Sequence, residues 1–130
     1  MDLHELPFAK IIILQDDLAE VLIDDGVVMN AEIVEQYHEF LLSRLRAPFA
    51  LLVNKVNSYS YDFEAQEKLA ALKQIHAMAV VAYNRITWIS TESLASIPRD
   101  EKWNLEIFTD RESALRWLLS EKEKIGGGVV

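Results

Sequence analysis

Apolar and polar positions along the chain fall into short blocks, and the period changes from one block to the next. Pro7 to Gln15 carries Ile11-Ile12-Ile13-Leu14, a β-branched run of strand length, and Leu18 to Ile23 alternates as a half-buried strand does. Asp16-Asp17 between them is a turn signal, which predicts an antiparallel hairpin. After Asp24-Asp25-Gly26, Asn30 offers a helix N-cap. From there Ile33, Val34, Tyr37, Phe40, Leu41 and Leu45 recur at helical spacing until Pro48 stops them. Phe49 to Val53 is a continuous apolar run, too short for a helix and suited to a strand covered on both faces.

The second half repeats the alternation. A polar connection, Asn54 to Tyr61, leads to Asp62, which can cap a helix bearing Ala65, Leu69, Leu72 and His76 on one face. Ala77 to Tyr83 reads as another buried strand. Asn84 to Ile97 is a weaker helix, rich in Thr and Ser and ended by Pro98, and Trp103 to Phe108 alternates as an edge strand. Asp110 caps a last helix with Ala114, Leu115, Trp117 and Leu118, and residues 125–130 form a flexible tail. The order β-β-α-β-α-β-α-β-α predicts one α/β domain over residues 1–124. Its sheet is mixed and about five-stranded, an N-terminal antiparallel hairpin followed by parallel strands, with four helices.

Composition narrows the chemistry. With 130 residues, 51% hydrophobic, the chain can bury a core of its own. A net charge of −8 argues against nucleic-acid binding, which needs a basic surface. No cysteine is present, so disulfides, thiolate metal sites and a thiol nucleophile are all excluded. Of the 4 glycines, only Gly26 lies in the body of the chain, too few for a phosphate-cradling loop, a dinucleotide fingerprint or a nucleophile elbow. The start lacks a basic leader segment and no apolar run reaches spanning length, so a cytoplasmic protein without a membrane span is expected. Charge is uneven: residues 1–47 hold ten acids against three bases, and the rest is nearly balanced. A solvated acidic face is the plainer account, and an acidic docking surface the functional one.

The element order, with Pro48-Phe49-Ala50-Leu51-Leu52-Val53-Asn54 and Ala79-Val80-Val81-Ala82-Tyr83, resembles the SpoIIAA-like (STAS-like) family from Pro7 to Glu121. The similarity is to small stand-alone bacterial members labelled STAS or CRAL-TRIO-like, without assigned function, and it implies a compact β/α domain rather than an activity. The better-known relatives are anti-sigma-factor antagonists, in which a serine directly after an aspartate is phosphorylated at a helix start. The matching aspartate here is Asp62, followed by Phe63 and Glu64, and neither can accept phosphate. The phosphoswitch therefore does not carry over.

In open α/β sheets ligands gather beyond the carboxyl ends of the strands. The residues expected there are Asn54, Lys55, Asn57, Ser58, Tyr59, Ser60 and Tyr61 after the third strand, with Asn84 and Arg85 after the fourth. Two cations, several donors, tyrosine rings and a helix start suit a small anionic or polar ligand, and an ordinary polar loop is the plainer alternative. Glu35 and His38 have E-x-x-H spacing, but one copy makes no metal site, and the pair is expected on the wet side of its helix. Ser58 or Ser60 with Asp62 lacks an adjacent histidine, so hydrolysis is not expected. Trp88, Ile89 and Leu94 are candidates for a dimer or partner interface. These readings favour a non-catalytic protein-interaction or regulatory module, a homodimer without cofactor. A small-ligand or lipid carrier is the alternative, and a cofactor-independent enzyme comes third.

Overall fold

The chain turns at Asp16-Asp17 and pairs Ala9–Gln15 (β2) antiparallel with Leu18–Ile23 (β3), as the alternation predicts. The computed structural model describes residues 2–69, 72–96 and 103–127. Beyond β3 come Val28–Met29 (β4), Ala31–Arg44 (α1) and Phe49–Lys55 (β5). Ser60–Tyr61 (β6), Phe63–Leu69 (α2), Ile75–Ala82 (β7) and Arg85–Ala95 (α3) follow, then Leu105–Phe108 (β8) and Arg111–Gly127 (α4). From β3 onward the main-sheet strands β3, β5, β7 and β8 pair parallel, the arrangement expected of strands separated by helices.

Among the described residues the sheet has six strands, one more than the sequence predicts. Asp2–Leu6 (β1) pairs antiparallel with β2 and completes the order β1-β2-β3-β5-β7-β8. Its sequence is too polar to read as a strand, because it lies at the edge with one face wet. Leu6 still reaches the core, and the His4 ring meets Phe40 edge-on at 5.3 Å. A second, two-stranded parallel sheet joins β4 to β6, Val28 beside Ser60 and Met29 beside Tyr61.

Helix ends follow their caps. Asn30, Asp62, Asn84 and Asp110 each accept a hydrogen bond from the backbone N–H three residues on, at 2.8–2.9 Å. His76 does not close α2. The helix ends at Leu69 and His76 lies on β7, because Lys73 and Gln74 break the apolar stripe before the strand begins. The expected end of α3 at Ile97-Pro98 lies outside the described residues. Helix α4 runs to Gly127, past the start of the expected tail, and residues 128–130 lie outside the description as well.

Strands β5 and β7 are buried on both faces. Phe49, Leu51, Val53 and Val80 face Val34, Tyr37 and Leu41 of α1 together with Ala65 and Leu69 of α2. Ala50, Leu52, Ala79 and Val81 face Ala114 and Leu118 of α4, and the alanines let that helix approach closely. At the amino end of the strands Asp17, buried, accepts a hydrogen bond from Lys122 at 3.0 Å and pairs with Arg46 at 3.6 Å. Part of the N-terminal acid excess is thus consumed inside the fold.

His38 departs from expectation. Glu35 and Glu39 are exposed, but His38 is half-buried, its Nε2 enclosed without a hydrogen-bond partner. Burial, helped by the nearby Lys68, lowers its pKa from 6.5 to about 4. Lys68 itself pairs with Glu35 at 3.7 Å, so the E-x-x-H pair does not converge. A histidine held neutral in the fold and free to protonate when unfolded adds stability that is complete above pH 6.5. That stability is lost as pH falls from 6.5 towards about 4. His38→Leu should flatten the fall in melting temperature across that interval, read by thermal melts at stepped pH. An unchanged slope would refute the assignment.

Candidate functional site

The alternation of β5 sends its last two side chains to opposite faces, Asn54 towards α4 and Lys55 towards α3. Both are polar groups at the end of a strand covered on both sides, and each needs a partner. They find very different ones.

On the α4 face, Asn54 Nδ2 donates to Glu20 Oε2 at 2.9 Å, and Asn54 Oδ1 accepts from the Tyr83 hydroxyl at 2.7 Å. Arg111, at the start of α4, grips Glu20 with Nε at 3.0 Å and Nη2 at 2.8 Å from Oε1. Burial would raise the Glu20 pKa, but the hydrogen bonds from Arg111 and Asn54 outweigh it and hold the carboxyl below its ordinary value. Every polar group in this network is answered. It fastens α4 to β3 across 91 residues of sequence.

On the α3 face, Lys55 Nζ donates to Thr91 Oγ1 at 3.1 Å, and the Thr91 hydroxyl donates onward to the Thr87 carbonyl at 2.8 Å. The amine also lies 5.5 Å from the centre of the Tyr59 ring and 5.9 Å from that of Tyr61. Among the described residues no carboxylate pairs with it. Burial lowers its pKa from 10.5 to about 8. The amine opens on a cavity of about 30 Å³, whose walls include Met29, Val53, Tyr61, Val80, Leu94 and Trp103. The Tyr59 hydroxyl is buried beside that of Tyr61 without a hydrogen bond of sound geometry, and burial raises the pKa of both.

The other rim residues serve the backbone or face elsewhere. Asn57 donates to the Ile23 carbonyl at 3.0 Å, the Ser58 amide to Asp25 at 2.9 Å, and Ser60 pairs within the small sheet. These bonds tie the loop after β5 to the turn at Asp24-Asp25-Gly26, where Gly26 takes the positive φ of 78°. Asn84 is the cap of α3. Arg85 lies in a separate open cleft of about 350 Å³ with Tyr83, Trp88 and Thr109, and shares no wall residue with the Lys55 cavity. The start of α2 is already occupied by the Asp62 carboxylate. Leu94 lines the Lys55 cavity rather than the surface, and Trp88 is half-buried in the Arg85 cleft. Only Ile89 of the expected interface trio is exposed.

Sequence reasoning missed Thr91 and the Glu20–Arg111 pair. A lone acid in the alternation of β3 was the available signal for Glu20, since its neighbours on that face are apolar. Among the described residues no cluster of three acidic or histidine side chains could hold a metal. Nor is any described helix long and apolar enough to cross a membrane. Glu20→Gln removes the charge that Arg111 grips and should cost about 2 kcal/mol, measured as a shift in urea midpoint. The same change in an Arg111→Met background should cost much less, and equal costs in both would remove the pair from the account of stability.

No known family model matches the chain, and no curated protein does. Among solved structures it is similar to an uncharacterised protein of Shewanella loihica PV-4 from the DUF3478 family, at 18% identity and a TM-score of 0.56. The match covers 85% of this chain and 91% of the other. That protein is described as having a SpoIIAA-like fold. An antiparallel N-terminal strand set, parallel strands β5, β7 and β8, and helices on both faces of the sheet agree with it, and the chain has a SpoIIAA-like fold.

Proposed function

We propose that the protein is a non-catalytic small-ligand-binding module whose site is the Lys55 enclosure beneath α3. Its ligand is a small molecule with a short apolar body and one anionic group. The observation that carries this reading is a half-buried amine with no counter-charge among the described residues, in a cavity whose lining is otherwise almost wholly apolar. Such a group weakens the fold, because burial disfavours its charged form, and a destabilising buried polar group is characteristic of binding sites. An anion would supply the missing partner. A ligand of lipid size does not fit a cavity of about 30 Å³.

A second reading, interaction with another protein or a second copy of the chain, is supported by Ile86 and Ile89. They are 79% and 49% exposed and lie three residues apart on α3. Sedimentation of the wild type and of Ile86→Glu separates the readings. A dimer that the substitution dissolves favours the interface, whereas a monomer at high micromolar concentration removes self-association.

The ligand reading makes a prediction with an unusual sign. Lys55→Met replaces a half-buried amine by a side chain of similar length that suits apolar walls, and should raise stability by about 1–2 kcal/mol at neutral pH. Pyruvate or propionate should raise the wild-type melting temperature saturably and leave that of Lys55→Met unmoved. A destabilised variant, or equal shifts in both proteins, would contradict the reading.

A further inference from the structure

The Lys55 amine has the surroundings of a nucleophile as well as those of a cation. Thr91 spends its own proton on the Thr87 carbonyl, so towards Lys55 it can only accept. One N–H of the amine is answered in this way. An ammonium would bury two more N–H bonds among tyrosine rings and apolar walls, whereas a neutral amine leaves a lone pair free beside the cavity. With its pKa lowered to about 8 by burial, about a tenth of the amine is neutral at pH 7. For an exposed lysine the fraction is below about a thousandth.

We infer that Lys55 is a carbonyl-capture site, its Nζ condensing with a small 2-oxo acid under α3 to form an imine. This rests on the ligand-binding reading and names the class of ligand. The nitrogen lone pair forms a bond to the keto carbon. The keto oxygen then leaves as water with two protons, both supplied by the neutral amine, and a C=N bond remains. No oxidant or reductant is consumed, and water reverses the step. The imine is more easily protonated than a simple carbonyl, and the resulting iminium has no protein carboxylate to balance it among the described residues. A 2-oxo acid brings its own carboxylate on the adjacent carbon, which a plain aldehyde does not. Tyr61, lining the cavity, keeps its phenolic proton because burial raises its pKa, and so remains a donor to that carboxylate. A cavity of about 30 Å³ under α3 restricts the partner to the smallest 2-oxo acids, of two or three carbons.

The test uses the full chain with pyruvate and sodium borohydride, followed by peptide mapping. The expected result is a mass gain of one pyruvate less one oxygen atom, concentrated on the peptide containing Lys55. Its yield should rise as the pH is raised towards about 8, and the selectivity should vanish when the protein is first unfolded in urea. Lys55→Met should lack the adduct. The wild-type map and the urea control decide the matter without that variant if it does not fold. A saturable, Lys55-dependent thermal shift with pyruvate but no trapped adduct would overturn the imine and leave the anion site standing. Neither shift nor adduct would overturn both. Labelling spread evenly over the exposed lysines would also overturn the imine.

Discussion

Two-sided burial of β5 and β7 is the constraint on which the rest of the structure depends. A strand covered on both faces cannot leave a polar side chain to water, so each one at its end must be met by protein. Asn54 and Lys55 are neighbours in sequence and are placed on opposite faces by the pleat. Asn54 meets Glu20 and Tyr83, with Arg111 behind them, and is satisfied at both ends of its amide. Lys55 meets a single hydroxyl and two aromatic rings. One strand end thus presents a polar group the fold has completed and another it has left open.

The distribution of charge follows from the same architecture. In the sequence, residues 1–47 read as a solvated acidic face, or else as an acidic docking surface. In the structure Asp17 and Glu20 are buried, and their partners include Lys122 and Arg111 of α4. These contacts hold the last helix against a strand formed early in the chain, one pair just before β3 and the other within it. The alanine-lined face of β5 and β7 supplies the close packing between them. What reads as surface electrostatics is in part the seam between the two ends of the chain.

Much of the fold was legible because apolar runs and capping residues are local signals. Ile11 to Leu14, Phe49 to Val53 and Ala77 to Ala82 carry their strand assignment in their own composition, and Asn30, Asp62, Asn84 and Asp110 mark their helices unaided. Strand β1 was not legible, since an edge strand with a wet face needs its partner before its register means anything. His38 was misjudged because a helical wheel knows one packing face, and α2 supplies a second. The site was half legible. Lys55 and Tyr59 stand four residues apart and do converge, but Arg85 was joined to them by an argument about strand ends that ignored which face each side chain takes. Thr91 could not be found from sequence, being an ordinary helical threonine until α3 is laid over β5.

Helix α3 covers the Lys55 cavity with a single buried residue of its own, Thr91. A helix resting on so little buried surface opens at lower free energy than the strands beneath it, and opens locally. For any molecule that reaches Lys55 through such an opening, entry and exit share one gating step. Residence time is then governed by how often α3 lifts, and affinity by what the closed enclosure offers. Substitutions that loosen α3 without touching the cavity wall would alter the two rates together while leaving their ratio nearly constant.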